Sequence, residues 1–410
     1  MTRILCVTDW YLPAYKAGGP VRSVSNLVSA LAGDEFEFHV LTRDRDLGEN
    51  SPHVGVPLEA WTTRGQARVF YTADHSLSNF RRRINEIKPD IIYLNSFFST
   101  FARKVLLLRR LRLIGSSAVV VAPRGELSPG ALQLKWPKKK FYIRAASAIS
   151  LCRNLLWHAT AELEKNEIVS LLSEYHLEKG SREAISGRIH VASNIPGAGS
   201  DMATKRLVEK KAGHVSFLFI SRVSPKKNLA FALELLASVR GEVSFDICGP
   251  VDDPGYWRIC EASIARLPAN VKVRYLGPVP HHEVQGKFSQ YHFFLFPTLS
   301  ENFGHAIAES LSAGCPVVIS DATPWRDLEL KNVGWDLPLN DRDSWLRVLQ
   351  QCIDLDDEAY GVMSSACESY FREWARSPAI RQENVELFRR ALAQSTGNPG
   401  LKREFTSTSG

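Results

Sequence analysis

The chain has 410 residues, 44% hydrophobic and 23% charged, with a formal net charge of +7. That length exceeds one comfortable core, so two domains are expected, and the composition excludes disordered and collagen-like classes. No apolar run approaches a membrane span, and the start Met1-Thr2-Arg3 reads as lacking a signal peptide, which argues against a transmembrane or secreted protein.

The charge is unevenly divided. Residues 1–195 hold 27 Lys/Arg against 18 Asp/Glu and the remainder 24 against 26, so the basic surplus belongs wholly to the N-terminal half. Seven cysteines, Cys6, Cys152, Cys248, Cys260, Cys315, Cys352 and Cys367, are scattered and lack Cys-x-x-Cys spacing. Reduced structural thiols in a cytoplasmic protein are the expectation.

Residues 4–8 read as the first strand. Ala17-Gly18-Gly19-Pro20-Val21 then leads into a helix over 21–31, whose Val21, Val24, Leu27, Val28 and Leu31 keep helical spacing. The glycine pair suits either an ordinary turn or a loop that closes on a phosphate. Residues 38–41, 69–71, 91–94 and 118–122 read as further strands between helical segments, an alternation that argues a parallel sheet. Residues 103–112 form a basic amphipathic run, and 134–142 interleave lysines with aromatics. Both fit an anionic membrane surface, and equally a solvated face or a helix whose leucines serve the core. No recognition motif accompanies them, so nucleic acid is not an expected partner.

A second domain is expected from about residue 215. A strand over 217–220 runs into Ser221-Arg222-Val223-Ser224-Pro225-Lys226-Lys227-Asn228, and residues 229–236 return to helical spacing. Arg222 and Lys227 thus flank a tight turn at the mouth of a sheet, where they either neutralise a diphosphate or solvate a loop. Residues 246–250 and 273–277 read as strands running into Gly249 and Gly277. His281-His282-Glu283 has the look of metal ligands but lacks a third ligand at helical distance, so a structural use and no metal are expected. The strand over 292–297 precedes Glu301-Asn302-Phe303-Gly304-His305-Ala306-Ile307-Ala308-Glu309, the opening of a helix that ends at Gly314 and Pro316. The N–H groups of Phe303, Gly304, His305 and Ala306 offer an anion site, with Glu301 and Glu309 on either side. Such a site suits a ligand with both phosphate and hydroxyl groups, as in a sugar nucleotide.

In these residues the chain resembles the retaining glycosyltransferases of family 4, and Pro123-Arg124-Gly125 followed by Leu127-Ser128-Pro129 resembles a branch of that family associated with polysaccharide synthesis. Glu301 and Glu309 match that family's Glu-x7-Glu, Arg222 and Lys227 its Arg followed five residues later by Lys, and Gly18-Gly19 its N-terminal glycine pair. The strands ending at Gly249 and Gly277 match those that approach the base site. The resemblance spans roughly residues 1–395 and is tighter in the C-terminal half. It implies an α/β fold of GT-B type, two facing Rossmann-like domains with parallel sheets and a C-terminal helix crossing back to the N-domain. Residues 1–197 would bind the acceptor, 198–378 the nucleotide sugar, 379–394 would be the crossing helix, and 395–410 a disordered tail.

The resemblance also implies roles. Arg222 and Lys227 stabilise the leaving phosphate, Glu301 binds a sugar hydroxyl beside the reacting carbon, and Glu309 takes the ribose diol. Gly18, Gly19, Asn302, Phe303, Gly304, His305 and Ala306 surround the donor, and Gly277, Pro278 and Val279 meet the base through the backbone. Where the family tends to carry a histidine near the sugar, this chain has Pro123-Arg124-Gly125-Glu126. Arg124 is the match for contact with an anionic donor or acceptor, and Glu126 the one nearby candidate base. The implied reaction moves a sugar from a nucleoside-diphosphate sugar to a hydroxyl of a glycan or lipid-linked acceptor, without metal or cofactor, in the cytoplasm or at the inner membrane face. Two alternatives stand beside it. A GT-B-like nucleotide-sugar epimerase would use the same pocket without an acceptor. A nicotinamide-dependent oxidoreductase would want Gly-x-Gly-x-x-Gly after the first strand, which residues 17–22 do not supply.

Overall fold

The computed structural model describes residues 1–33, 35–133, 136–197 and 208–396. It divides into two compact units, Met1–Ala198 with Pro378–Gly410, and Gly199–Ser377. Each is an α/β unit with its own sheet.

Unit 1 begins with β1 (Thr2–Val7), α1 (Gly19–Leu31), β2 (Phe36–Arg43), β3 (Trp61–Arg64) and β4 (Ala67–Thr72). It continues through α2 (Leu77–Ile87), β5 (Ile91–Asn95), α3 (Thr100–Arg110), β6 (Ala118–Ala122), α4 (Pro129–Gln133) and α5 (Trp136–Ala148). Then come β7 (Leu156–Ala159), α6 (Glu162–Glu174), α7 (Arg182–Ser186) and β8 (Ile189–Val191). The strands lie in the order β3-β4-β2-β1-β5-β6-β7-β8, all parallel except the β3–β4 pair. Ile4 to Val7 of β1 are buried throughout, because helices cover both faces of a parallel sheet and leave no polar side. On α1 the stripe Val21, Val24, Leu27, Val28 and Leu31 is the buried one. The basic run on α3 behaves differently from a membrane-lying helix. Val105, Leu106 and Leu108 are buried in the unit's own core, so its apolar face is already used.

Unit 2 contains β9 (His214–Ile220), a 3-10 turn at Pro225–Lys227, α8 (Leu229–Leu236), β10 (Glu242–Cys248), α9 (Pro254–Ile264) and β11 (Val271–Gly277). It is completed by α10 (His281–Phe288), β12 (Phe293–Phe296), α11 (His305–Ser312), β13 (Val317–Ser320), β14 (Gly334–Leu337), α12 (Arg342–Asp354) and α13 (Asp357–Ala375). All pairs in its sheet, ordered β11-β10-β9-β12-β13-β14, are parallel. Phe293 to Phe296 are fully enclosed because β12 bonds to β9 on one side and β13 on the other.

The last helix, α14 (Pro378–Thr396), returns to unit 1. Phe388 is the anchor: its ring lies 5.5 Å from Phe36, 6.1 Å from Phe38 and 5.6 Å from Tyr93, with edge-on geometry. Asn384 Nδ2 donates to the Ser193 carbonyl at 2.8 Å, and the Arg389 guanidinium forms a fork on the Glu35 carboxylate. The helix runs on through Ser395 and Thr396, where a tail was expected, and residues 397–410 lie outside the described residues. All seven cysteines are free and buried.

Candidate functional site

The carboxyl ends of β9, β10 and β12 in unit 2 carry the motif residues. Past Ile220 the chain stays beside the exit of β10. Ser221 N–H donates to the Cys248 carbonyl at 3.0 Å and Val223 N–H to that of Pro250 at 2.9 Å. Gly249 makes this approach possible, since a Cβ there would fall 1.9 Å from the Ser221 oxygen. Arg222 emerges from this segment with its side chain 44% exposed, and Nη1 donates to Asp252 Oδ2 at 2.9 Å. Pro225–Lys227 then make one 3-10 turn, and Asn228 in the left-handed region (φ 57°) redirects the chain into α8.

Lys227 is the end of that turn. Its ammonium donates to Glu301 Oε1 and lies 5.3 Å from the centre of the Phe296 ring. The two side chains are only 12% and 14% exposed. Leu299 N–H and Thr298 Oγ1 both donate to the Lys226 carbonyl, at 2.8 and 3.2 Å, which holds the two loops in register, and Glu301 N–H donates to Ala322 O beyond β13 at 2.9 Å. Thus a cation from the β9 loop and a carboxylate from the β12 loop share one half-enclosed position.

Immediately beyond Glu301, α11 opens. Gly304 precedes it at φ 81°, and a Cβ there would meet Ile307 Cδ1 at 2.7 Å, so the residue is glycine on two counts. The Gly304 carbonyl accepts from Ile307 and Ala308 N–H at 2.9 and 3.2 Å, and no side chain caps the helix. The N–H groups of Gly304, His305 and Ala306 precede any intrahelical acceptor and carry the positive end of the helix dipole. The Phe303 side chain and carbonyl have a packing role of their own. Its ring is buried against His305, Trp325 and Trp374, and its carbonyl accepts from Trp325 Nε1 at 2.6 Å. It locks the helix entry through packing that local sequence pattern could not show. Asn302 and Glu309 are half-buried on either side.

Gly277 ends β11 with φ 76°, and its carbonyl accepts from Gly249 N–H at 2.8 Å. Tyr275 Oη donates to the Gly249 carbonyl at 2.8 Å, tying this corner together. Pro278 is exposed, and Val279 is half-buried against the core. The side chains of His281 and His282 lie outside the described residues. Among the described residues, no group of three or more His, Cys, Asp or Glu is arranged to hold a metal ion.

In unit 1, Gly18 stands before α1 at φ 69°, and its carbonyl accepts from Val21 N–H at 3.1 Å. The loop leading to Gly18 and Gly19 hangs on buried Asp46, whose Oδ2 accepts from Tyr15 and Lys16 N–H at 2.9 and 3.2 Å. Asp46 was not singled out in the sequence, because its partners are backbone groups far along the chain.

Arg124 and Glu126 both find partners within unit 1. Arg124, at φ 57°, directs Nε to Asn95 Oδ1 (2.8 Å), Nη1 to Asn194 Oδ1 (2.6 Å) and Nη2 to Tyr93 Oη (2.6 Å). Tyr93 lies 2.8 Å from His158 Nδ1, and His158 Nε2 lies 2.8 Å from the Ala192 carbonyl. That carbonyl can only accept, so Nε2 carries the hydrogen; burial and the nearby Arg124 charge disfavour a second proton, so Nδ1 accepts from Tyr93. Burial accordingly pushes the His158 imidazole well below its ordinary value. Asn95 also reaches the Pro20 carbonyl at 3.4 Å, so the Arg124 network extends to the glycine loop. Glu126 accepts from Ser96 Oγ (2.7 Å) and from Phe97 and Phe98 N–H (2.8 and 3.1 Å), which makes its carboxylate a clamp for the segment after β5. Burial pushes that carboxyl up.

Two family descriptions match the chain. "Glycosyl transferases group 1" covers residues 203–365, and "Glycosyl transferase 4-like domain" covers residues 18–170. No protein of curated function matches it. Similar solved structures include sucrose-phosphate synthase from Thermosynechococcus elongatus, at 15% identity over 96% of this chain and 100% of that one, with a TM-score of 0.70. HepE from Anabaena, solved with UDP-glucose, is 15% identical over 95% of this chain and 100% of its own, with a TM-score of 0.68. WaaG, a glycosyltransferase involved in lipopolysaccharide biosynthesis, is 13% identical over 96% of this chain and 100% of its own, with a TM-score of 0.60. At such identities these likenesses speak to the fold.

Proposed function

Because the chain belongs to the group 1 glycosyltransferases and has their two-unit GT-B fold, we propose that it is a retaining enzyme acting on a nucleoside-diphosphate sugar. The observation that carries this reading is the Lys227–Glu301 pair beside the uncapped start of α11. It joins a phosphate-binding cation, a hydroxyl-binding carboxylate and a row of N–H donors. HepE was solved with UDP-glucose and WaaG serves lipopolysaccharide synthesis, which supports a nucleotide-sugar donor and a glycan or lipid-linked acceptor in cell-surface polysaccharide synthesis.

In this reading the N–H groups of Gly304, His305 and Ala306, with Lys227 and Arg222, meet the charge that grows on the β-phosphate as its bond to the anomeric carbon breaks. Asn302 and Phe303 fix the approach to that helix start. Glu301 holds a sugar hydroxyl, Glu309 the ribose diol, and the backbone of Gly277, Pro278 and Val279 the edge of the base. The glycine pair, Gly18 and Gly19, is a further donor contact. The acceptor oxygen forms the new bond on the face the phosphate leaves, and its proton passes to the departing phosphate oxygen. The phosphate is neutralised by cations and helix N–H groups, so neither metal nor cofactor has a step in this scheme. Arg124 and Glu126 serve as positioning residues for the acceptor-binding unit. No helix among the described residues is long and apolar enough to cross a membrane, and the basic surplus of residues 1–195 supports contact of unit 1 with an anionic inner-membrane surface.

Proton NMR of the product formed from an α-linked donor tests the mechanism through the anomeric coupling constant. An α-product is expected, and a β-product would overturn retention. Incubating UDP-N-acetylglucosamine with enzyme alone should leave its sugar configuration unchanged, whereas accumulation of an epimer would replace transfer by epimerisation.

A further inference from the structure

At the amino-terminal end of the unit 1 sheet, where the chain enters β6 and β7, lies a cavity of about 660 Å³. Arg109, Arg110, Arg112 and Arg153 line it with Ser116 and Ser150, and no carboxylate is among its lining residues. Two arginines build it. Arg109 donates to the carbonyls of Arg153 and Asn154 at 3.0 and 3.2 Å, and Arg110 Nε donates to that of Ile149, so the 149–154 turn is pinned across the end of α3. The other two are uncommitted: among the described residues, the exposed side chains of Arg112 and Arg153 make no hydrogen bond or ion pair.

Cations at a helix C-terminus favour the dipole, and Arg109 and Arg110 in the last turn of α3 already meet that need. The buried carboxylate that acts on Arg109, Glu178, is bonded to Arg188 at 3.0 Å. Arg112 and Arg153 therefore add positive charge that no carboxylate among the described residues pairs with. Leu111, Leu113 and Ile149, chain neighbours of the lining residues Arg112, Ile114 and Ser150, are 54%, 37% and 43% exposed. Arginines bind phosphate oxygens in pairs, and exposed aliphatic side chains beside them suit the boundary between headgroups and acyl chains.

We propose that this pocket binds clustered phosphates, and that their source is the headgroup layer of an anionic membrane. The choice of source rests on the proposed membrane contact of unit 1; the pocket's chemistry does not. The proposed donor contacts share none of these residues.

The test uses the full chain and its R112Q/R153Q variant. Sedimentation with vesicles of phosphatidylcholine containing phosphatidylglycerol should show binding that weakens roughly thirtyfold in the variant, as expected for two surface cations. Vesicles of phosphatidylcholine alone should not bind. Thermal shift by inorganic tripolyphosphate, lost in the variant, tests the pocket without lipid. A tripolyphosphate shift without vesicle binding supports the phosphate pocket and overturns the membrane source. Binding of neither probe, or binding untouched by the substitutions, overturns the pocket. Donor-induced stabilisation, measured in parallel, reports on the glycosyltransferase site separately.

Discussion

The Lys227 ammonium and the Glu301 carboxylate, 74 residues apart in the chain, form an ion pair whose members are 12% and 14% exposed. The pair compensates each charge while no ligand is present, and a diphosphate arriving at α11 would share the ammonium. Lys227→Ala should lower turnover by about 10²–10³-fold, the scale for losing one charge-stabilising donor. It should also lower stability by roughly 3 kcal/mol, because Glu301 is left unpaired in a half-enclosed site. Steady-state kinetics with denaturant unfolding check both. In a double-mutant cycle with Glu301→Gln, a coupling near zero would mean the pair is not formed in solution.

Two glycines near this pair should differ when replaced by alanine. Gly304→Ala meets both an unfavourable φ of 81° and a Cβ contact of 2.7 Å with the flexible tip of Ile307. A loss of about 1–3 kcal/mol is expected, along with weaker donor affinity, as α11's first turn shifts. Gly249→Ala meets the Ser221 backbone at 1.9 Å, which cannot yield as a side chain can. That variant should lose more stability and displace the segment carrying Arg222. Thermal unfolding and donor titration decide the order; equal effects would show that the 221–223 segment moves freely.

Much of the fold was legible because parallel strands covered on both faces must be apolar throughout, as residues 4–7 of β1 and 293–296 of β12 are. The α11 opening was legible because glycine before a helix start leaves a local trace. The β3–β4 hairpin was not, since Trp61–Arg64 is half exposed and its pairing depends on β4. Arg103–Arg112 illustrates a different limit. Periodicity showed an apolar face, but whether that face met lipid or core was set by elements distant in the chain. Arg124 and Glu126 were legible as candidates, but their partners were not, because these are Tyr93, Asn95 and Asn194 for one and the Phe97 and Phe98 N–H groups for the other, all brought in by the fold.

Arg124→Lys separates a structural from a ligand-binding role. An ammonium cannot span Asn95, Asn194 and Tyr93 as the planar guanidinium does. Stability should fall by about 1–3 kcal/mol, the cost of leaving buried acceptors poorly paired, while the KM for donor changes less than threefold. A large KM effect with unchanged thermal stability would return Arg124 to direct contact with the substrate.

The neutral His158 ring makes acid sensitivity calculable in sign. Burial is the main cause holding its pKa down, with the Arg124 charge adding to it. In the unfolded chain the ring takes a proton near its ordinary value of about 6.5, whereas in the fold it stays neutral well below that. The unfolded state thus binds more protons once the pH drops under 6.5, and stability declines with falling pH by up to about 1.4 kcal/mol per unit. Above pH 7 the group contributes no slope. His39, His53, His75 and His190 are also held down by burial and act in the same sense, while the raised carboxyls of Glu126 and Glu178 oppose them. The readout is therefore the difference between wild type and H158Q, each unfolded by denaturant from pH 8 to pH 5. The two curves should run parallel down to about pH 6.5 and then converge as the wild type loses its extra proton-linked stability. Parallel behaviour to pH 5 would mean that the imidazole takes up a proton in the fold as readily as in the unfolded chain, and the Tyr93–His158 bond would then run from Nδ1 to Tyr93 Oη while Nε2 still donates to the Ala192 carbonyl.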